Sequence, residues 1–287
     1  MSDGPGRFYD YWTRLWYQVL RHPIRMRAVY DNKLKNPDLT VVFLHGISAT
    51  SATWHTTLRE LTKNTDLQNV RFITLDLLGF GKSLRASWLR YNYADYERAL
   101  DYTLKKLHVN SPIVLVGHSM GGLIAADYVG NHQPSVEVAD LIFVSPPILQ
   151  KQELAKLPDK VYIKSYSSLY RLAKKEPAMG VIANFVQRFS NFSSKYFRTP
   201  AFQRSMDNII LNPNNYQTFC KLKCPGLLIH GRFDPLVIGS NLHKVAAANP
   251  KYLRCISVVG HHDITAQKRS KILIELKKVL RTQNANL

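Results

Sequence analysis

Cysteine is scarce. Cys220, Cys224 and Cys255 are the only three in 287 residues. An odd number of thiols excludes a fully paired disulfide framework and reads as reduced thiols in a reducing compartment. Cys220 and Cys224 stand at a metal-ligand spacing, but no second pair follows, so no metal site and no cofactor are expected. Long apolar runs are also missing. No uninterrupted stretch of about 18 apolar residues occurs, so no transmembrane helix is expected. The apolar N-terminal part, 8–20, is broken by Asp10, Arg14 and Gln18 and is followed by no small-residue cleavage site, which argues against a secretory signal. A cytoplasmic location, with peripheral membrane contact as an alternative, is the expectation. Acidic residues are few: 20 Asp and Glu against 39 Lys and Arg give a formal charge of +19. Such a charge favours anionic partners: a membrane surface, nucleic acid or acidic solutes. The cations are dispersed, with no Lys/Arg block, so no specific nucleic-acid binding is expected. A basic proteome would produce the same balance with no partner at all.

What is present is a regular alternation. Apolar runs at 40–44, 70–75, 112–116, 141–144, 226–230 and 253–259 read as strands. Helical patterns at 51–61, 93–107, 240–248 and 268–280 lie between or after them. Strands alternating with helices imply a parallel sheet covered on both faces, with reactive groups at the carboxyl ends of the strands. The rhythm breaks over 146–224. Two prolines end a strand, Tyr162, Tyr166 and Tyr170 follow four apart, and Phe185, Phe189 and Phe192 mark a second face. Thirteen Lys or Arg and four Asp or Glu fall between Lys151 and Cys224. This segment reads as a basic helical cap, its tyrosines and phenylalanines packing it together. The expected organisation is an N-terminal lead-in (1–38), a core (39–145 and 225–287) and the cap (146–224). In the lead-in, Phe8, Trp12, Leu15, Trp16 and Val19 fall near helical spacing with arginines between them. That makes an aromatic amphipathic helix that either packs on the domain or lies on a bilayer, packing being preferred. Residues 24–30 are a candidate strand.

The chain is organised around Gly117-His118-Ser119-Met120-Gly121-Gly122, set between a strand and an alanine-rich helix. A serine in so tight a turn needs small neighbours two residues away on each side, and Gly117 and Gly121 supply them. Ser119 is the candidate nucleophile, and the Met120 amide faces the position where an oxyanion would form. A serine hydroxyl needs a base, itself held by a carboxylate. Asp234 follows a strand's carboxyl end and is the candidate acid; Asp140 lies at the wrong end of its strand. Gly260-His261-His262-Asp263 follows the last strand. Either histidine is a candidate base, and His261, directly after the glycine, is favoured. His45-Gly46-Ile47 directs the Ile47 amide toward the oxyanion position beside that of Met120, with His45 bonding inside its own loop. His118 is given no catalytic role. Gly79-Phe80-Gly81-Lys82-Ser83 invites a phosphate-loop reading, but Asp76 stands where the first glycine is required, so the segment reads as a tight turn after a strand.

Together these motifs resemble the α/β-hydrolase superfamily. H-G at Gly46, D-x-x-G-x-G-x-S from Asp76, G-H-S-M-G-G around Ser119, G-R-x-D-P at Asp234 and G-H at His261 occur in that family's order, over about 39–280. The resemblance implies a mostly parallel, eight-stranded sheet with helices on both faces, a helical cap over the site and no cofactor. Ser119 stands where dehalogenases and epoxide hydrolases of the family carry aspartate, which argues against both. His118 stands where carbon–carbon bond hydrolases often have asparagine, which lowers that reading. The two leading antiparallel strands of the family are hard to find in 1–38. The expected activity is hydrolysis of carboxylic esters through a Ser119–His261–Asp234 triad and an acyl-enzyme. The alternatives are a lipase or lysophospholipase resting on anionic membrane through 7–21 and the basic cap, a carbon–carbon bond hydrolase, and a binding protein on the same fold.

Overall fold

The structure is a computed structural model and describes residues 7–19, 22–150, 164, 168, 193–212 and 214–285. The tyrosine and phenylalanine stripes expected in the cap lie outside the described residues. Strands β1 (Arg27–Asp31), β2 (Leu39–Leu44), β3 (Val70–Asp76), β4 (Ile113–His118), β5 (Val138–Val144), β6 (Gly226–Gly231) and β7 (Leu253–Val258) form one sheet. Their order is β1-β3-β2-β4-β5-β6-β7. β1 runs antiparallel to β3 and every other pairing is parallel. The described sheet therefore has seven strands where the resemblance implies eight. A single antiparallel strand leads in where two were expected, because 7–18 are spent on a helix.

Around the sheet lie α1 (Arg7–Gln18), α2 (His55–Leu61), α3 (Tyr93–Lys106), α4 (Met120–Gly130), α5 (Pro200–Ser205), α6 (Asn215–Cys220), α7 (Gly239–Ala248) and α8 (Ala266–Ala285). Strands β2, β3, β4 and β6 are buried along their whole length, and their alternate residues divide between two cores. Leu39, Val41, Phe43, Val114 and Val116 point toward α2 and α8, meeting Trp54, Leu58, Ile272 and Leu276. Val42, Leu44, Ile113 and Leu115 point the other way, toward α3, α4 and α7, meeting Leu100, Leu104, Ile124 and Val245. This period of two explains why the strands read as continuous apolar runs. Each aliphatic side chain buried this way contributes roughly 1.5–3 kcal/mol relative to exposure. Because β4 is the fourth of the seven strands, the turn after it opens at the middle of the sheet's carboxyl edge.

The N-terminal helix meets the domain through a narrow contact. Tyr17 is buried and its hydroxyl donates to Asp95 Oδ1 at 2.6 Å, with Trp88 beside its ring and the Arg98 guanidinium over it. Tyr11, Trp12 and Trp16 are 62%, 52% and 53% exposed, so the helix's largest aromatics face outward. Among the described residues no helix is long and apolar enough to cross a membrane.

Candidate active site

The turn after β4 is strained at its serine. Ser119 has φ +51° and ψ −119°, a conformation that costs a residue with a side chain about 1–3 kcal/mol. The surroundings impose it. Ser119 N–H donates to Val144 O at 2.8 Å, and Ser119 O accepts from Gly122 N at 3.0 Å. A Cβ on Gly117 would stand 2.5 Å from Gly121 O, and one on Gly121 would stand 2.4 Å from Leu44 O. The glycine spacing is therefore a steric requirement of bringing β2, β4 and α4 together at one point. Among the described residues the Ser119 hydroxyl has no hydrogen-bond partner; catalytic hydrogen bonds of this kind are commonly loose before substrate binds.

Two backbone amides close to this serine in the chain or in the fold lack a protein acceptor among the described residues. Met120 opens α4, so its N–H has no acceptor within the helix. The loop after β2 packs directly on the elbow: a Cβ on Gly46 would lie 3.1 Å from Ser119 Cβ. Ile47, next along that loop, is buried, and its amide donates to no acceptor among the described residues. His45 anchors the loop. Its Nε2 accepts from Leu77 N at 2.9 Å, which leaves Nδ1–H to donate to Gly46 O at 2.7 Å. Burial lowers its pKa to about 4, so the ring is neutral. Ser48 follows, and its Oγ donates to Ser193 O at 2.6 Å while Ser193 N donates back to Ser48 O at 3.0 Å. The Asp76 turn is structural as well. Its carboxylate accepts from Ser51 N and Lys82 N at 2.8 and 2.7 Å, leaving no cradle for a phosphate.

Asp234 meets a histidine beyond β6 and β7, but the histidine is not the favoured one. His262 Nδ1 lies 2.9 and 3.0 Å from the two oxygens of Asp234, and both side chains are 1% exposed. His261 is exposed, and its Nδ1–H donates to Phe233 O at 3.2 Å. In place of the favoured His261, the structure sets His262 against Asp234, and the reason is backbone direction. The 260–261 peptides lie against the turn after β6: Phe233 N donates to Gly260 O at 3.1 Å, and a Cβ on Gly231 would stand 2.6 Å from His261 O. His261 faces out along this seam, and His262, at the bend that follows, is buried against Asp234. Burial alone would raise the Asp234 carboxyl. The His262 charge and hydrogen bond, the Leu236 amide and Lys268 outweigh that and hold it at about 2, so Asp234 is ionised.

Two supporting residues escape sequence reasoning. Lys268, on α8, is fully buried. Its ammonium donates to Ser145 Oγ at 2.8 Å and to the carbonyls of His261, His262 and Asp263 at 2.5, 3.2 and 2.9 Å. Burial depresses its pKa to about 8, against the pull of Asp234 and Asp263. In sequence it is one basic residue among many on a helix, and nothing marks it as buried. His118, behind the elbow, donates Nε2–H to the His262 carbonyl at 3.0 Å, and the two rings lie 4.9 Å apart. Its pKa is held well below the ordinary histidine value by burial and by His262, so it stays neutral. One carbonyl of the His262 backbone is thus held from two sides.

A family model for the alpha/beta hydrolase fold matches residues 40–194, more than half of the chain. The chain is 27% identical over 212 residues to "AB hydrolase superfamily protein YisY" of Bacillus subtilis (strain 168), covering 68% of this chain and 74% of that one. It is 29% identical over 126 residues to "Probable lysophospholipase BODYGUARD 5" of Arabidopsis thaliana, covering 43% of this chain and 28% of the plant protein. Among solved structures, an esterase from Exiguobacterium antarcticum superposes with a TM-score of 0.67 at 19% identity, covering 91% of this chain and 100% of that one. With the family match, the strained serine on the central strand and the mostly parallel sheet in agreement, the chain belongs to the α/β-hydrolase fold family.

Proposed function

We propose that this chain hydrolyses carboxylic esters, with Ser119 as nucleophile, His262 as base and Asp234 as the acid that orients it. The observation that carries the reading is the buried His262–Asp234 pair on the same sheet edge as a serine held at φ +51°. Ser119 Oγ attacks the ester carbonyl and His262 takes its proton. Asp234, ionised, keeps the proton on Nδ1 and so leaves Nε2 to act as base. The Ile47 and Met120 amides receive the oxyanion. His262 passes its proton to the leaving alkoxide, and then activates the water that clears the acyl-enzyme. The test is a p-nitrophenyl ester series from acetate to palmitate, with wild type beside Ser119→Ala. A loss of order a thousandfold or more in the variant supports the serine mechanism. Unchanged turnover would sink it.

A second reading places the substrate in a lipid surface. It is favoured by the outward-facing Tyr11, Trp12 and Trp16, with Arg14 on the same helix, and by the lysophospholipase name of the plant relatives. Aromatic and cationic side chains of this kind seat a helix at a headgroup boundary. Flotation with anionic liposomes tests it: binding that weakens as salt rises supports it, and no binding at any salt concentration removes it.

A further inference from the structure

One cluster of side chains lies outside the proposed hydrolytic machinery. The register of β6 on β7 pairs Leu228 with Cys255 and His230 with Ser257. Side chains alternate along a strand, so His230 and Cys255 stand diagonally on one face of the sheet. Helix α7 lies against these strands, burying Leu242 and Val245, and it brings His243 to the same place. Three separate elements therefore deliver two imidazoles and a thiol. Nε2 of His230 lies 3.2 Å from Nε2 of His243, and one ring nitrogen of each histidine and Cys255 Sγ fall within 4.8 Å of one another.

These spacings can be set against an ion. A tetrahedral Zn²⁺ with bonds of about 2.05 Å to nitrogen and about 2.3 Å to sulfur separates its nitrogens by roughly 3.3 Å and nitrogen from sulfur by roughly 3.6 Å. The two nitrogens already stand at that separation, and the sulfur, within 4.8 Å, would have to move in by up to about 1.2 Å to reach the N–S spacing of such a site. The second shell is in place as well. His230 Nδ1–H donates to Gly231 O at 3.2 Å, which fixes the tautomer and leaves the Nε2 lone pair turned toward His243. A histidine pair sharing one proton would account for the nitrogens but gives no reason for the thiol beside them. His230 is buried, Cys255 half-buried and His243 exposed, so an ion has a protein floor and an entry path from solvent.

We propose that His230, His243 and Cys255 form a binding site for a borderline-soft divalent cation, Zn²⁺ in the first place, with the fourth position open to water. A ligand set of two imidazoles and one thiolate selects against Mg²⁺ and Ca²⁺, which take oxygen ligands. On binding, the Cys255 thiol gives up its proton to solvent and sulfur takes the metal bond. The ion then ties α7 to β6 and β7.

The test uses the full chain without an affinity tag, stripped with a chelator and titrated with Co²⁺ and then Zn²⁺. The expected result is one ion per chain, a thiolate-to-cobalt charge-transfer band with tetrahedral d–d bands, and displacement of both by Zn²⁺ but not by Mg²⁺. Cys255→Ser removes the charge-transfer band. His243→Gln, at an exposed position, weakens binding about tenfold or more, at least the loss typical of a supporting second-shell partner, while the metal-free circular dichroism and Tm stay unchanged. Absence of the charge-transfer band in wild type overturns the proposal, as does metal affinity that is the same in wild type and both variants.

Discussion

His262 Nδ1 lies within 3.0 Å of both Asp234 oxygens, while His261, one residue earlier, bonds to the Phe233 carbonyl at the surface. Adjacent histidines thus occupy opposite environments. On ester substrate, His262→Gln is expected to lose activity by roughly a thousandfold or more, as removal of a triad member does. His261→Gln is expected to keep kcat within a few-fold. Steady-state kinetics of the two variants decide the assignment, and the reverse pattern would return the base role to His261.

Lys268 holds three successive carbonyls of the segment that carries His262. Lys268→Met is expected to lower kcat by about ten- to a hundredfold with little change in KM, because misplacing a catalytic group by about 1 Å has that effect. The pH dependence has a definite sign. The folded pKa, about 8, lies below the ordinary 10.5, so between those values the unfolded chain binds more protons at this site. Its contribution to stability therefore rises with pH across that window, by up to the order of 3 kcal/mol. Denaturant midpoints of wild type and Lys268→Met across that window measure it. Parallel curves would reject a buried ammonium.

Glu97 on α3 gives the opposite slope. Burial and the neighbouring Asp127 raise its pKa from 4.5 to about 8. The folded chain then binds more protons than the unfolded one between those values, and this contribution is lost as pH rises through about 8. Glu97→Gln is expected to remove the loss and to stabilise the protein on the alkaline side. Thermal midpoints against pH, compared between wild type and variant, read this directly.

Tyr17 is the polar anchor of the N-terminal helix, its hydroxyl 2.6 Å from Asp95. Tyr17→Phe leaves a buried carboxylate oxygen short of a donor, at a cost of about 1–3 kcal/mol. Limited proteolysis near residue 20 is expected to quicken. Trp12→Ala and Trp16→Ala, which alter outward-facing rings, are expected to leave stability within about 0.5 kcal/mol. A large loss in the tryptophan variants would show that this face is packed.

What could be read from sequence follows from where the physical constraint falls. Strands buried on both faces must be apolar throughout, so their positions are visible as runs. The elbow is legible because its steric demand falls on Gly117 and Gly121, residues the chain itself displays. The pairing of Asp234 with His262 is not legible. It depends on how 260–263 settle over the turn after β6 and on a lysine from a later helix, and neither contact leaves a local pattern. The same holds for His230, His243 and Cys255, which are scattered along the sequence and meet only through register and helix placement. The lead-in misleads for another reason: its helical spacing is plain, but one buried tyrosine decides which face is covered.

The reciprocal bonds between Ser48 and Ser193 have a mechanical consequence. Ser48 adjoins Ile47, whose amide faces the reacting centre in the proposed mechanism, and Ser193 lies within the 146–224 segment that separates β5 from β6. The two positions are clasped like the halves of a buckle. Whatever shifts Ser193 shifts Ser48 with it, so the shape of the loop beside Ser119 is set jointly by two stretches 145 residues apart in sequence.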